Sequence, residues 1–192
     1  MKNDRRLMNV NFEVRDNDEK ETYIEGYALK FNEPSEDLGF IEYIDRNALD
    51  DADMDNVVAL LNHDSNYVLG RSGRNLTLEV DEIGLRFSVK PTETSYSKDL
   101  IENMRSGLID KCSFAFSLDY SSDEADEWKK QEDGSYVRMI KKIDRLFDVS
   151  VVTTPAYADT VALLSTRSMK EFEKVKFDRN REIELMDMEL KL

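Results

Sequence analysis

The sequence predicts a mostly β protein (α+β) with one central helix, and three observations carry that expectation. Apolar and polar residues alternate at period two in several separate runs between residues 22 and 152. Two pairs of these runs are joined by short turn-forming stretches, the mark of hairpins. One stretch alone, "SYSKDLIENMRSG" (95–107), changes to helical spacing.

Taken in order, the elements begin with a polar segment, 1–21, holding a short edge strand at "LMNVNFEV", where Met8, Val10 and Phe12 alternate. "YIEGYALKF" (23–31) places Tyr23, Tyr27, Leu29 and Phe31 on one side of a strand. "NEPSEDLG" is a loop, "FIEYI" (40–44) a short strand and "RNALDDAD" a helical turn. "VVALL" (57–61) is a continuous apolar run, as expected of a strand buried on both faces. "NLTLEV" and "LRFSVK", joined by "DEIG", make residues 75–90 a hairpin. In the helical stretch Leu100, Ile101 and Met104 share a face, and Gly107 stands just past the helix end. "KCSFAFSL" returns to period two, and "EWKKQEDGSYVRMI" is a second hairpin turning at Asp133-Gly134. "RLFDVSVV" (145–152) is the last strand, closed by Pro155. Residues 168–192 are heavily charged, with Phe172, Ile183, Met186 and Leu190 at helical spacing, the pattern of an amphipathic tail.

Charge and composition remove whole classes of function. The 192 residues suit one domain with a tail, and 40% hydrophobic content is enough for a sizeable core. With 41 acidic against 27 basic residues the net charge is -14. That balance argues against nucleic acid as a partner, because a binding face needs clustered Lys and Arg to displace phosphate counterions. It argues equally against an anionic membrane surface, and no run approaches the roughly 20 apolar residues of a spanning helix. "MKNDRRLMNV" lacks the apolar core of a secretory signal, and the single cysteine allows no internal disulfide. A cytoplasmic setting fits. One His and one Cys cannot build a Cys/His zinc site. A carboxylate-only Mg or Ca site stays open, but no EF-hand, GxGxxG or Walker pattern is present. No metal and no cofactor are therefore expected.

Chemistry has three candidate segments: "LLNHD" with His63, "KCSFAF" with Cys112 and Ser113, and "RLFDVSVV" with Asp148. Each residue type has an ordinary structural use. A histidine at a strand end commonly makes a structural hydrogen bond, a strand serine is commonly just small, and an aspartate in a strand pairs with a base such as Arg145 or Lys142. Patterning separates the candidates. Cys112, Phe114 and Phe116 project to one face, the core, whereas Ser113, Ala115 and Ser117 project to a narrow polar face that another chain could approach. In the last strand Phe147, Val149 and Val151 form one face, and Asp148 and Ser150 fall on the other with Leu146 and Val152. Nucleophilic catalysis needs a base for the hydroxyl or thiol proton, and His63 is the only histidine. The residues alone thus reach a hydrolase with Ser113 or Cys112 as nucleophile. The cysteine option conflicts with periodicity.

In order and spacing, "GYALKFN", "FIEYIDRNAL", "VVALLNHD", "LGR", "LTLEVDEIGLRFSV", "GLIDKCSFAF" and "DVSVVTTPAY" resemble the prohead proteases of tailed bacteriophages. These are capsid-maturation serine proteases whose fold is related to herpesvirus assemblin. The resemblance covers about 22–167, which implies an N-terminal segment 1–21, a protease domain 22–167 and a tail 168–192. It implies a compact assemblin-like β-barrel flanked by a few helices. It also implies a serine endopeptidase that acts in the host cytoplasm, inside the assembling prohead, on the scaffold segment of the major capsid protein and on itself, with possible homo-oligomers. The family histidine falls on His63 and the nucleophile on Ser113, although Lys111 stands where many relatives have the glycine of Gly-x-Ser. The acidic third member falls on Asp148, with Asp64 the weaker choice because neighbours in an extended chain point apart. The competing expectation is a catalytically inactive capsid-assembly or scaffold-binding protein on the same fold.

Overall fold

Twelve strands and one helix follow one another along the chain: β1 (Asp4–Met8), β2 (Phe12–Asp16), β3 (Thr22–Lys30), β4 (Ile41–Ile44), β5 (Val58–Leu61), β6 (Asp64–Arg71), β7 (Leu76–Val80), β8 (Gly84–Val89), α1 (Ser95–Arg105), β9 (Lys111–Ser117), β10 (Asp126–Lys130), β11 (Tyr136–Ile140) and β12 (Arg145–Val152). The computed structural model of the protein describes residues 4–8, 12–16, 21–119 and 124–153, with Lys174 beyond them. The chain divides into two units, Met1–Ala156 and Tyr157–Leu192, and all the described strands lie in the first. The expected tail helix over 168–192 and the "PAY" stretch lie outside the described residues, apart from Lys174.

The strands form three sheets, of order β1-β9-β12-β5-β6, β2-β3-β8-β7 and β10-β11-β4. In the first, β12 and β5 run parallel and the other neighbours antiparallel. Among the described residues the three sheets do not close into a barrel, so the compact assemblin-like β-barrel implied by the family resemblance is not seen, and α1 is the one helix described in the first unit. The mostly β expectation stands. Both hairpins form as read, β7 on β8 and β10 on β11. The edge-strand segment at the N-terminus is two strands, β1 and β2, on the edges of different sheets.

The helix ends where its sequence dictates. Thr94 caps its start through Ser97 N–H. At the other end Ser106 is the C-cap, Gly107 has φ +69, Gly107 N–H reaches Met104 O (3.0 Å) and Leu108 N–H reaches Asn103 O (2.9 Å). This is the double closure of a Schellman motif, which requires a left-handed residue that glycine adopts without strain. Leu100 is buried, and Ile101 and Met104 pack against the core.

Register shifts occur in three of the strand pairs, and those in β3 and β12 break the alternation that the sequence suggests. Between Tyr27 and Leu29 the pairing of β3 with β8 shifts by one residue, so Leu29 pairs with Leu85 on the Ile24 side, whereas Tyr27 lies opposite Arg86. Tyr23, Tyr27 and Leu29 therefore do not share a face, as period two had predicted. Between Leu146 and Asp148 the pairing of β12 with β9 shifts likewise. Leu146 joins Phe116 in the core and Phe147 is left half-buried, reversing the faces expected for those two residues. The core runs from Ile24, Leu29 and Phe87 through Phe114, Phe116, Val149 and Val151 to Ile44 and Ile140. Each such side chain contributes roughly 1.5–3 kcal/mol of burial. Gly84 lets β8 approach β3, since a Cβ there would lie 2.0 Å from Leu29 O.

A buried charge network ties the five-stranded sheet to the three-stranded one. Glu42 on β4 receives the Arg6 guanidinium of β1 through two nitrogens, one at 3.0 Å, and Arg138 Nη1 of β11 at 3.0 Å. Arg138 also meets Asp126 at 2.6 Å, and Arg6 and Glu42 are at most 4% exposed. Burial pushes the Glu42 carboxyl up, but the two guanidinium charges outweigh it and hold the group below its ordinary 4.5. Removing Glu42 leaves two buried cations short of a counter-charge, a loss of about 3–5 kcal/mol. Glu42→Gln is expected to lower the urea midpoint at pH 7 accordingly. Because the folded carboxyl titrates below 4.5, the charged network contributes fully above that value and fades as pH falls through the lower folded one. Urea titrations of both proteins from pH 7 to 3 should therefore show the difference shrinking only at the acid end.

Candidate active site

Three neighbouring strands, β9, β12 and β5, bring the candidate residues together. In the ladder Ser113 lies directly opposite Ser150, and Ala115 opposite Asp148, so Ser113, Asp148 and Ser150 share one face. Cys112 and Phe114 lie opposite Val151 and Val149 on the other face, the core. His63 comes from the turn at the end of β5. Asn62 N–H continues the parallel ladder to Val151 O at 2.8 Å, and the Asn62 side-chain carbonyl accepts Thr153 N–H at 2.9 Å.

That turn is a two-residue hairpin. β5 and β6 pair up to Leu61 and Asp64, and Asn62 and His63 both have positive φ, 55 and 56. Two positive φ values define a type I′ turn, whose twist matches antiparallel strands and whose usual occupant is Asn-Gly. Asn fits the first place. Histidine in the second is strained, by about 1–3 kcal/mol for a residue held in this region. β6 was not among the expected strands. The signal for it was "NHD" itself, an asparagine-led dipeptide after an apolar run.

The imidazole lies across β12. Its Nδ1 is 2.6 Å from Asp148 Oδ1 and its Nε2 2.6 Å from Ser113 Oγ. Ser150 Oγ donates to Asp148 Oδ1 at 2.7 Å and stands 3.1 Å from His63 Nδ1. An ionised carboxylate only accepts, so Asp148 selects the Nδ1–H tautomer, and the Nε2 lone pair then faces the Ser113 hydroxyl. The His63 side chain is 3% exposed and Ser113 4%. Asp64, the weaker third candidate, instead accepts from the Asn66 backbone and side chain at 2.8 Å. The expected base partners of Asp148 go elsewhere, Arg145 to Asp53 and Lys142 to Asp51. Cys112 is fully buried and burial pushes its thiol up to about 12. The face of Ser113, Ala115 and Ser117 is also buried rather than open.

The reading of the sequence gave Ser150 no part in the site. Its signal was the i, i+2 spacing from Asp148 within a strand, which puts both on one face. The Arg6 carbonyl, which accepts Ser113 Oγ–H at 2.9 Å, had no local signal, because it depends on β1 pairing with β9. Among the described residues no cluster of three or more His, Cys, Asp or Glu is placed to hold a metal ion, and no helix is long and apolar enough to cross a membrane.

A serine hydroxyl, an imidazole and a carboxylate in hydrogen-bonded sequence form the array of serine hydrolases. The family comparison is more specific: the model of the caudovirus prohead serine protease matches residues 10–175, and the chain belongs to that family. Among solved structures, the bacteriophage T4 capsid assembly protease, gp21, is similar in fold, with TM-score 0.50 and 13% sequence identity, covering 79% of this chain and 99% of that one. No curated protein matches the chain.

Two outcomes test the local geometry. The Cys112 thiol should resist iodoacetamide at pH 8 in the folded protein and react fully in denaturant, read by intact mass. Asn62→Ala, placing a Cβ-bearing residue without a local partner at left-handed φ, should lower stability by about 1–2 kcal/mol, and Asn62→Gly by less, read from urea midpoints.

Proposed function

We propose that this chain is a capsid-maturation serine endopeptidase that cleaves the scaffold segment of the major capsid protein, and itself, inside the assembling prohead. The observation that carries the reading is the His63 ring, with Asp148 and Ser113 each at 2.6 Å on its two nitrogens. Membership of the prohead protease family supports the substrate setting. His63 is the general base, Ser113 the nucleophile and Asp148 the group that orients the ring.

In the first half-reaction Ser113 Oγ attacks the peptide carbonyl while its proton passes to His63 Nε2. Collapse of the tetrahedral intermediate breaks the C–N bond, and His63 gives that proton to the leaving amine. Asp148 stabilises the imidazolium between these events. Water then adds to the acyl-enzyme with the same base, releasing the new carboxyl terminus and restoring Ser113. Ser150, donating to Asp148, holds the carboxylate in place. Neither nucleic acid nor a membrane has a role in this chemistry.

Burial of Ser113 favours a second reading, an assembly protein that binds scaffold without cutting it. The two separate in one experiment. Co-expression with the major capsid protein, followed by intact mass, should show cleavage by the native chain. Ser113→Ala and His63→Ala should each lose on the order of 10⁴–10⁶ in rate, with the double variant little worse than either. Asp148→Asn should lose about 10⁴ by favouring the wrong tautomer. Cys112→Ser should still cleave. Equal products from the native chain and Ser113→Ala would leave only the assembly role.

A further inference from the structure

β1 is the one edge of the five-stranded sheet that borders the nucleophile strand. It runs antiparallel to β9, with Leu7 opposite Ser113 and Arg6 opposite Phe114. Two features of Arg6 coincide. Its backbone carbonyl accepts the Ser113 hydroxyl at 2.9 Å. Its side chain is buried, paired with Glu42 and stacked 5.4 Å over the Phe116 ring. An extended chain added to a sheet edge, with one carbonyl at the nucleophile and the same residue's side chain in a buried charged site, is how a peptide docks by strand addition.

The contact also holds the site at rest. Ser113 has one hydroxyl proton. Given to the Arg6 carbonyl, that proton is not aligned on His63 Nε2, and β1 fills the edge of β9 that a substrate strand would pair with. The charges indicate what the groove takes once β1 leaves. Glu42 meets the Arg6 guanidinium on one side and Arg138 on the other. When Arg6 leaves, Glu42 offers its carboxylate to an incoming cation and keeps Arg138 as a partner.

We propose that β1 is a displaceable, substrate-mimicking strand that keeps Ser113 closed, and that the edge it fills accepts an extended peptide with Arg or Lys in the place of Arg6. This rests on the serine-protease reading of the site. A bidentate guanidinium suits Glu42 best, and an acidic side chain there meets like charge.

The test uses the full chain and a fluorophosphonate probe that labels an accessible, activated serine, followed by intact mass. Arg6→Glu puts like charge against Glu42 and should release β1, so Ser113 should label at least about tenfold faster than in the native chain. A synthetic peptide of residues 1–10 should slow that labelling again, whereas the same peptide with Glu in place of Arg6 should not. Equal rates in the native chain and Arg6→Glu, or a peptide without effect, overturn the proposal. Should Arg6→Glu lose its fold, judged by circular dichroism, the native chain carries the test with peptide substrates that differ only in Arg, Ala or Glu before the scissile bond. Hydrolysis of the Arg peptide at least about tenfold above the others is expected, and equal rates overturn the proposal. Ser113→Ala sets the zero. Labelling in no variant at all would bring down the serine-protease reading itself, whereas fast labelling of the native chain removes only the role of β1.

Discussion

The backbone ladder of β12, held between β9 on one side and β5 on the other, sets every distance in the site. Neighbouring strands lie about 4.8 Å apart, and the imidazole spans that gap, with Nδ1 over β12 and Nε2 at β9. Because β12 pairs on both edges, it cannot slide without breaking two ladders. A slip of one residue would turn Asp148 and Ser150 into the core and bring Val149 and Val151 to His63. The bulge at Phe147 serves the same end. It puts Leu146 back in the core while leaving Asp148 on the Ser113 face, so one short strand supplies both packing and a carboxylate.

The turn at Asn62-His63 depends on this ladder too. A histidine with φ 56 is unfavourable in isolation. It persists because Asn62 is bonded to Val151 O and to Thr153, and because the ring is held by Asp148, Ser150 and Ser113. The strain held in this backbone fixes the position of the ring, the pre-organisation that the proposed general base requires.

Burial shapes the rest. Ser113, the proposed nucleophile, is 4% exposed, and β1 borders it, paired with β9 and carrying Arg6 into contact with Glu42 and the Phe116 ring. Glu42, ionised in the interior by two guanidiniums, therefore has two roles. It fastens β4 to β11 through Arg138, and it holds β1 through Arg6. Only the first of these survives if the strand leaves.

Much was legible in the chain itself. Alternation marked β9 and β12, placed Cys112 and Ser113 on opposite faces, and put Asp148 with Ser150. Helical spacing and Gly107 marked α1, and the turn residues marked both hairpins. One histidine in 192 residues narrowed the choice of base to His63. These are local properties, since side-chain alternation and capping are decided within a few residues. The tertiary structure alone decided that β9, β12 and β5 are neighbours, that β12 and β5 run parallel, that bulges reverse the faces of Leu29 and Leu146, that the described sheets do not close into a barrel, and that Arg6 meets Glu42 and Ser113. Those outcomes come from burial and ladder pairing between segments far apart in the chain, such as Arg6 and Ser113, separated by 107 residues. No local window of sequence contains both partners of such a contact.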